Sequence, residues 1–147
     1  MEYLMLTEEE IYALEGEALD RAIAEYVMGE PEPSPHEDHD NFLAPELSQK
    51  NAWYCLPDYD RGDICEWTPM PFSSLITQAW KVVVKMRAEK YQWASDWEFD
   101  NPPYVAFFKD RDSYGEIDHF GSEGLTFELA VCRAALLAIV NANLGTD

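Results

Sequence analysis

Aromatic and cationic side chains crowd one irregular stretch of the chain, where Trp53, Tyr54, Tyr59, Arg61 and Trp67 fall between positions 53 and 67. Aromatic faces stack on nucleobases at roughly 1–3 kcal/mol per base, and guanidinium or ammonium groups donate to phosphate. With Lys109 and Arg111 further along, this set points to a small nucleotide-type ligand. The plainer reading treats Trp80, Trp93 and Trp97 as packed core. For Trp53, Tyr54 and Trp67 the sequence leaves both readings open. Arg133 stands in an otherwise apolar segment and must meet a carboxylate, a helix end or a ligand, because a buried unpaired charge is prohibitively costly. A structural ion pair is the expectation there.

Other chemistries are poorly served. His36, His39, Cys55 and Cys65 contain the atoms of a zinc site, but neither pair has the compact spacing of a structural knuckle. The stretch from Asp110 begins like a calcium loop, yet its twelfth position, which needs a bidentate Glu, is Gly121. Asp58 to Asp63 lacks even the required glycine. There is no Gly-x-Ser-x-Gly elbow, no phosphate-cradling glycine loop and no Cys-x-x-Cys. A Cys132, His119, Asp118 triad would need an exposed thiol, whereas Cys132 sits in the most apolar segment of the chain. The sequence therefore predicts no enzyme, no metal and no cofactor.

Charge narrows the partners. The chain has 29 acidic and 10 basic residues, a formal net charge of −19. Residues 1–66 hold 18 acidic and 3 basic side chains, net −15, so the acidity belongs mainly to the N-terminal half. Such a surface repels phosphate backbones and anionic lipid, which argues against direct nucleic-acid or membrane binding. Carboxylates at Glu10, Glu17, Asp20 and Glu25 are expected on the outer side of the first helix, either as a solvated face or as a phosphate-like array for a basic protein. With 47% hydrophobic residues the composition remains that of a globular domain. Three cysteines and a start lacking secretory features lead us to expect free thiols and a soluble, cytoplasmic protein.

The elements that position these residues follow from periodicity. Thr7 and Glu10 form a capping box for a first helix whose stripe runs from Ile11 to Val27 and stops at Gly29. A Pro- and acid-rich loop spans about residues 30–66. Ser73 or Ser74 opens a second helix, with Leu75, Ile76, Ala79, Trp80, Val83 and Val84 as its buried face and Lys81, Lys85 and Arg87 on the other side. Period-two patterning from Tyr91 to Phe99 predicts a strand, Tyr104 to Lys109 a second, and Glu116 to Phe120 a short third. Thr126 caps a final helix, closed by Gly145, that is apolar almost all round and so must be covered on most sides. Either the first helix or a second copy of the chain can cover it. The predicted fold class is α+β: one domain over residues 1–147, with about three helices packed on a small antiparallel sheet of two to three strands.

Three stretches, Leu19 to Gly29 (LDRAIAEYVMG), Met70 to Met86 (MPFSSLITQAWKVVVKM) and Thr126 to Ile139 (TFELAVCRAALLAI), together resemble the phage ABA sandwich domain. The resemblance implies a phage or prophage origin and the family fold, with no assigned activity. The chain departs from the family pattern at Glu30, where an aromatic often follows the glycine, and at Ser74-Leu75, where Thr-Asp is usual. The expected role is a non-enzymatic binding protein that sequesters a small nucleotide-type molecule, such as a signal of host antiviral defence. Its site would use Trp53, Tyr54, Tyr59, Arg61, Trp67, Lys109 and Arg111. The alternative is an acidic interaction protein that imitates nucleic acid and blocks a basic host protein. A homo-oligomer is compatible with both.

Overall fold

The structure is a computed structural model and describes residues 6–34, 46–55, 66–96, 101–110 and 117–144. Its helices are α1 (Glu8–Ala13), α2 (Gly16–Ala22) running into a π-helical turn (Ile23–Val27), α3 (Ile76–Ala88) and α4 (Phe127–Leu144). Strands β1 (Glu46–Leu47), β2 (Trp53–Cys55) and β3 (Trp67–Pro69) form one antiparallel sheet. Strands β4 (Gln92–Asp96), β5 (Tyr104–Asp110) and β6 (Ile117–Glu123) form another. The fold is α+β as predicted, with two small sheets in place of one.

α4 is the hub. It packs against β5 and β6 and touches α1, α2, the π turn and α3. Small side chains at Ala130, Ala134, Ala135 and Ala138, all fully buried, let these neighbours approach it closely. Thr126 caps it as predicted, its Oγ1 accepting from Leu129 N–H at 3.2 Å. Val105 and Phe107, two residues apart and so on one face of β5, complete the core beneath the second sheet, with Trp93 facing Phe107 and Phe107 facing Phe120 in register.

The first helix is not continuous. The capping box of Thr7 and Glu10 is present, but the chain leaves helix at Leu14 and restarts at Gly16, whose φ of +59° suits a residue without Cβ. Arg133 reaches this break: its Nη2 donates to Tyr12 O at 3.2 Å and Leu14 O at 3.3 Å. It thus meets a helix end rather than the expected carboxylate.

Four further expectations are corrected. The loop drawn over about 30–66 contains β1 and β2, strands too short for periodicity to reveal. Leu75 occupies the N-cap of α3, without a side-chain cap bond, so neither Ser73 nor Ser74 caps it. α3 buries Ala79, Val82, Val83 and Met86 and leaves Leu75, Ile76, Trp80 and Val84 exposed, so the helix is rotated from the face predicted. Cys55 is disulfide-bonded and not a free thiol; Cys132 is free, and Cys65 lies outside the described residues. Among the described residues, no helix is long and apolar enough to cross a membrane.

Candidate functional site

Glu30 organises the ground on which the site stands. The chain turns at Gly29, φ +74°, and drives the Glu30 side chain into the interior, where it is 7% exposed. Ser48 Oγ donates to its Oε1 at 2.5 Å, Lys50 N–H to Oε2 at 3.0 Å and Ala52 N–H to Oε1 at 3.2 Å. Ser48 Oγ also accepts from Trp53 N–H, and Trp53 Nε1–H donates to Glu30 O at 2.8 Å. One carboxyl therefore holds the turn between β1 and β2 and, through it, the register of the first sheet. The departure from the family pattern at Glu30 is a structural anchor.

The segment that follows Glu30 meets β3 at Trp67 and contributes Glu32 and Pro33 to an open pocket of about 270 Å³, lined also by Glu17, Arg21, Glu66, Trp67 and Thr68. Arg21 of α2 is its centre. Its Nη1 donates to Glu32 Oε1 at 2.7 Å and its Nη2 to Glu17 Oε1 at 3.2 Å, while its guanidinium carbon sits 5.1 Å from the Trp53 ring centroid. The hydrogen bond that Arg21 donates to Glu32 is the chief cause of a pKa pushed above the usual arginine value. Trp67 forms a wall and is fixed by its Nε1–H donating to Ser34 O at 3.2 Å. Among the described residues, the lining thus holds three carboxylates and one guanidinium, which Glu17 and Glu32 both bind.

The predicted ligand residues divide. Trp53, Tyr54 and Trp67 share the first sheet, but Trp53 is 1% and Trp67 9% exposed, and both direct their indole N–H to main-chain carbonyls. Tyr54 is half-buried, paired with Thr68. Lys109 lies on the second sheet, where its Nζ donates to Glu89 O at 3.1 Å and stands 4.9 Å from the Tyr91 ring centroid. Tyr59, Arg61 and Arg111 lie outside the described residues. Of the predicted acidic face, Glu10, Glu17 and Glu25 are exposed, Glu10 within the α1 capping box and Glu17 at the cavity. Asp20 corrects the expectation: it turns inward, 7% exposed, and accepts from Ser73 N–H at 2.7 Å. Burial pushes its pKa above the ordinary aspartate value, partly offset by the Ser73 hydrogen bonds.

The chain belongs to the phage ABA sandwich domain family. The family match covers residues 21–136, from the central arginine of the cavity to the middle of α4. Comparison with curated proteins and with solved structures gives no match.

For this phage ABA sandwich domain the remaining reactive groups are quickly placed. Cys132 is wholly buried in α4, and burial pushes its thiol far up in pKa, the opposite of an activated nucleophile. His119 is exposed on β6 and stacked on Tyr104 at 6.5 Å. Of the four residues weighed for zinc, His36, His39 and Cys65 lie outside the described residues, and a disulfide-bonded Cys55 offers no thiolate. Sequence reasoning missed Arg21, Glu32 and Glu66, and it singled out Glu30 only as a departure from a pattern. The Glu17–Arg21 pair at i,i+4 was readable in the sequence. Glu32 and Glu66 join it only because the chain reverses at Gly29 and returns as β3.

Proposed function

We propose that this phage-type protein is a protein-interaction module that receives basic side chains of a partner on its acidic N-terminal surface. The acid-lined cavity around Arg21 is the principal docking point. The observation that carries this reading is the charge of the cavity lining among the described residues: Glu17, Glu32 and Glu66 line it with one arginine, and Glu17 and Glu32 both bind that arginine while remaining about half exposed or more. A phosphate entering here would meet net negative charge and would have to displace carboxylates from Arg21. An incoming lysine or arginine would instead gain attraction from the exposed carboxylates of Glu17 and Glu32. Exposed Glu10 and Glu25 extend the same sign along α1 and the π turn. This favours the acidic inhibitor of a basic host protein over sequestration of a nucleotide.

Titration with a fluorescein-labelled, arginine-rich decapeptide tests it. Binding is expected to weaken by about tenfold or more between low and physiological salt, as charge-driven association does. Glu17→Gln with Glu32→Gln should weaken it several-fold. The charge-matched control Glu8→Gln with Glu123→Gln, away from the cavity, should have little effect. Equal losses in both variants would reduce the reading to general charge attraction and overturn the cavity's role. Stoichiometric binding of ATP or a cyclic nucleotide that competes with the peptide would restore the nucleotide reading.

A further inference from the structure

The rotation of α3 away from its predicted face leaves a second surface that the acidic cavity does not use. Ile76, Trp80 and Val84 are 52%, 47% and 55% exposed. At i, i+4 and i+8 they form one stripe, confined to about 80° of arc at roughly 100° per residue. Trp80 is held in place by an edge contact to Trp93 at 5.6 Å, and Trp93 in turn meets Phe127 at 6.3 Å. It is therefore a pre-positioned aromatic of the kind that anchors helix-in-groove recognition.

The charges beside this stripe run against the rest of the molecule. α3 contains no acidic residue, while four of the chain's ten basic residues, Lys81, Lys85, Arg87 and Lys90, lie on it or just after it. Lys81 and Lys85 flank the stripe on its solvent side, and helical spacing puts Arg87 at its C-terminal end. Lys85 pairs with Glu89 at 3.1 Å, whereas Lys81 and Arg87 make no ion pair among the described residues.

We infer that the outer face of α3 docks an acidic amphipathic helix of a partner protein. Its apolar side chains, spaced i and i+4, would lie along Ile76, Trp80 and Val84, and its flanking Asp or Glu would meet Lys81 and Arg87. A second copy of this chain fits less well, because α3 packed on α3 brings cations together with no carboxylate on either helix to receive them. The inference is independent of the acidic cavity, which prefers the opposite charge.

Two synthetic helices of about 18 residues, long enough for roughly five turns, separate the possibilities. Both carry leucine at i and i+4 spacing; one is flanked by glutamate and the other by lysine. Fluorescence anisotropy with the full chain should show binding of the glutamate peptide. Trp80→Ala should weaken it by about tenfold, the usual scale for a truncated hot spot. Val84→Ser and Lys81→Gln, both at exposed positions, should each weaken it several-fold, and Lys81→Gln should also flatten its salt dependence. The lysine peptide should respond to Glu17→Gln with Glu32→Gln and ignore Trp80→Ala, so failure of one surface leaves the other testable. No binding of the glutamate peptide, or binding unchanged in all three α3 variants, overturns the inference. So does sedimentation showing a dimer that Trp80→Ala dissociates, since a second copy would then occupy the face.

Discussion

Two buried carboxyls illustrate opposite uses of the same group. Glu30 accepts from Ser48 Oγ, Lys50 N–H and Ala52 N–H, so truncation would orphan three donors in the turn between β1 and β2. Glu30→Ala is expected to cost about 2–4 kcal/mol, because unsatisfied buried polar groups cost roughly 1–3 kcal/mol each and partial relaxation softens the sum. Urea unfolding measures the loss, and hydrogen exchange at the Lys50 and Ala52 amides should localise it. Asp20 accepts one main-chain bond from Ser73 N–H, and its pKa is raised by burial. A raised carboxyl favours the folded state while protonated, so its contribution is full below the unfolded pKa and is lost as pH rises through the folded value. Asp20→Asn retains an oxygen for Ser73 N–H and removes the ionisation. The variant should match or exceed the parent in stability at pH 7, and the parent's decline from acid toward neutral pH should be shallower in it. Urea midpoints across pH 4–7 check both, and a steeper decline in the variant would show that the charged form is the stabilised one. Neither role was legible in the sequence. Glu30 stood out only as a departure from a pattern, and Asp20 sat at helical spacing with solvent-facing acids; both partners are distant in sequence.

At the scale of elements, the positions where no Cβ is tolerated mark how the second sheet joins α4. A Cβ on Gly124 would stand 2.6 Å from Ala130 N and 3.1 Å from the Leu129 Cβ, while Gly124 N–H donates to Pro103 O at 3.1 Å. The turn is thus fixed between the start of β5 and the first turn of α4, and main-chain atoms cannot step aside. Gly124→Ala should destabilise by about 1–3 kcal/mol, the usual range for overpacking. At Gly121 the obstacle is the phenol end of Tyr104, which can rotate away. Gly121→Ala should therefore cost less and register mainly as lost Tyr104–His119 stacking. Thermal melts of the two variants rank them, and a larger loss at Gly121 would mean that the Tyr104 ring is more constrained than its surroundings indicate. Elements with long periodic patterns, α4 and β5 above all, were readable from the sequence because burial repeats within them. The first sheet was not, because its strands span two or three residues and its register is set by a glutamate side chain from beyond the strands. α3 was misjudged in rotation since Ile76, Trp80 and Val84 are as apolar as the Ala79, Val82, Val83 and Met86 that face the core. Composition alone could not say which stripe α4 would cover.

Across the whole molecule, net charge and ion pairing act on compactness in opposite directions. The formal charge is −19, with the N-terminal half at −15, so neighbouring carboxylates repel over distances set by the Debye length, about 10 Å at 0.1 M salt. Against this stand, among the described residues, the pairs Arg21–Glu17, Arg21–Glu32 and Lys85–Glu89, whose side chains are between 34% and 64% exposed. Pairs this open contribute roughly 0–1 kcal/mol each and are themselves screened by salt. Sodium chloride should therefore stabilise the protein: between about 20 mM and 500 mM the Tm should rise by about 2–4 °C for every kcal/mol of repulsion removed. The same salt should weaken an arginine-rich ligand at the acidic cavity, so stability and affinity are expected to move in opposite directions. A Tm that fell with salt would mean that the ion pairs at Arg21 outweigh the summed repulsion. In that case Glu32→Gln, which removes a negative charge but breaks the 2.7 Å bond to Arg21, should destabilise the fold. If repulsion dominates, the same substitution should leave stability unchanged or raise it at low salt, and differential scanning calorimetry at the two salt concentrations decides between them.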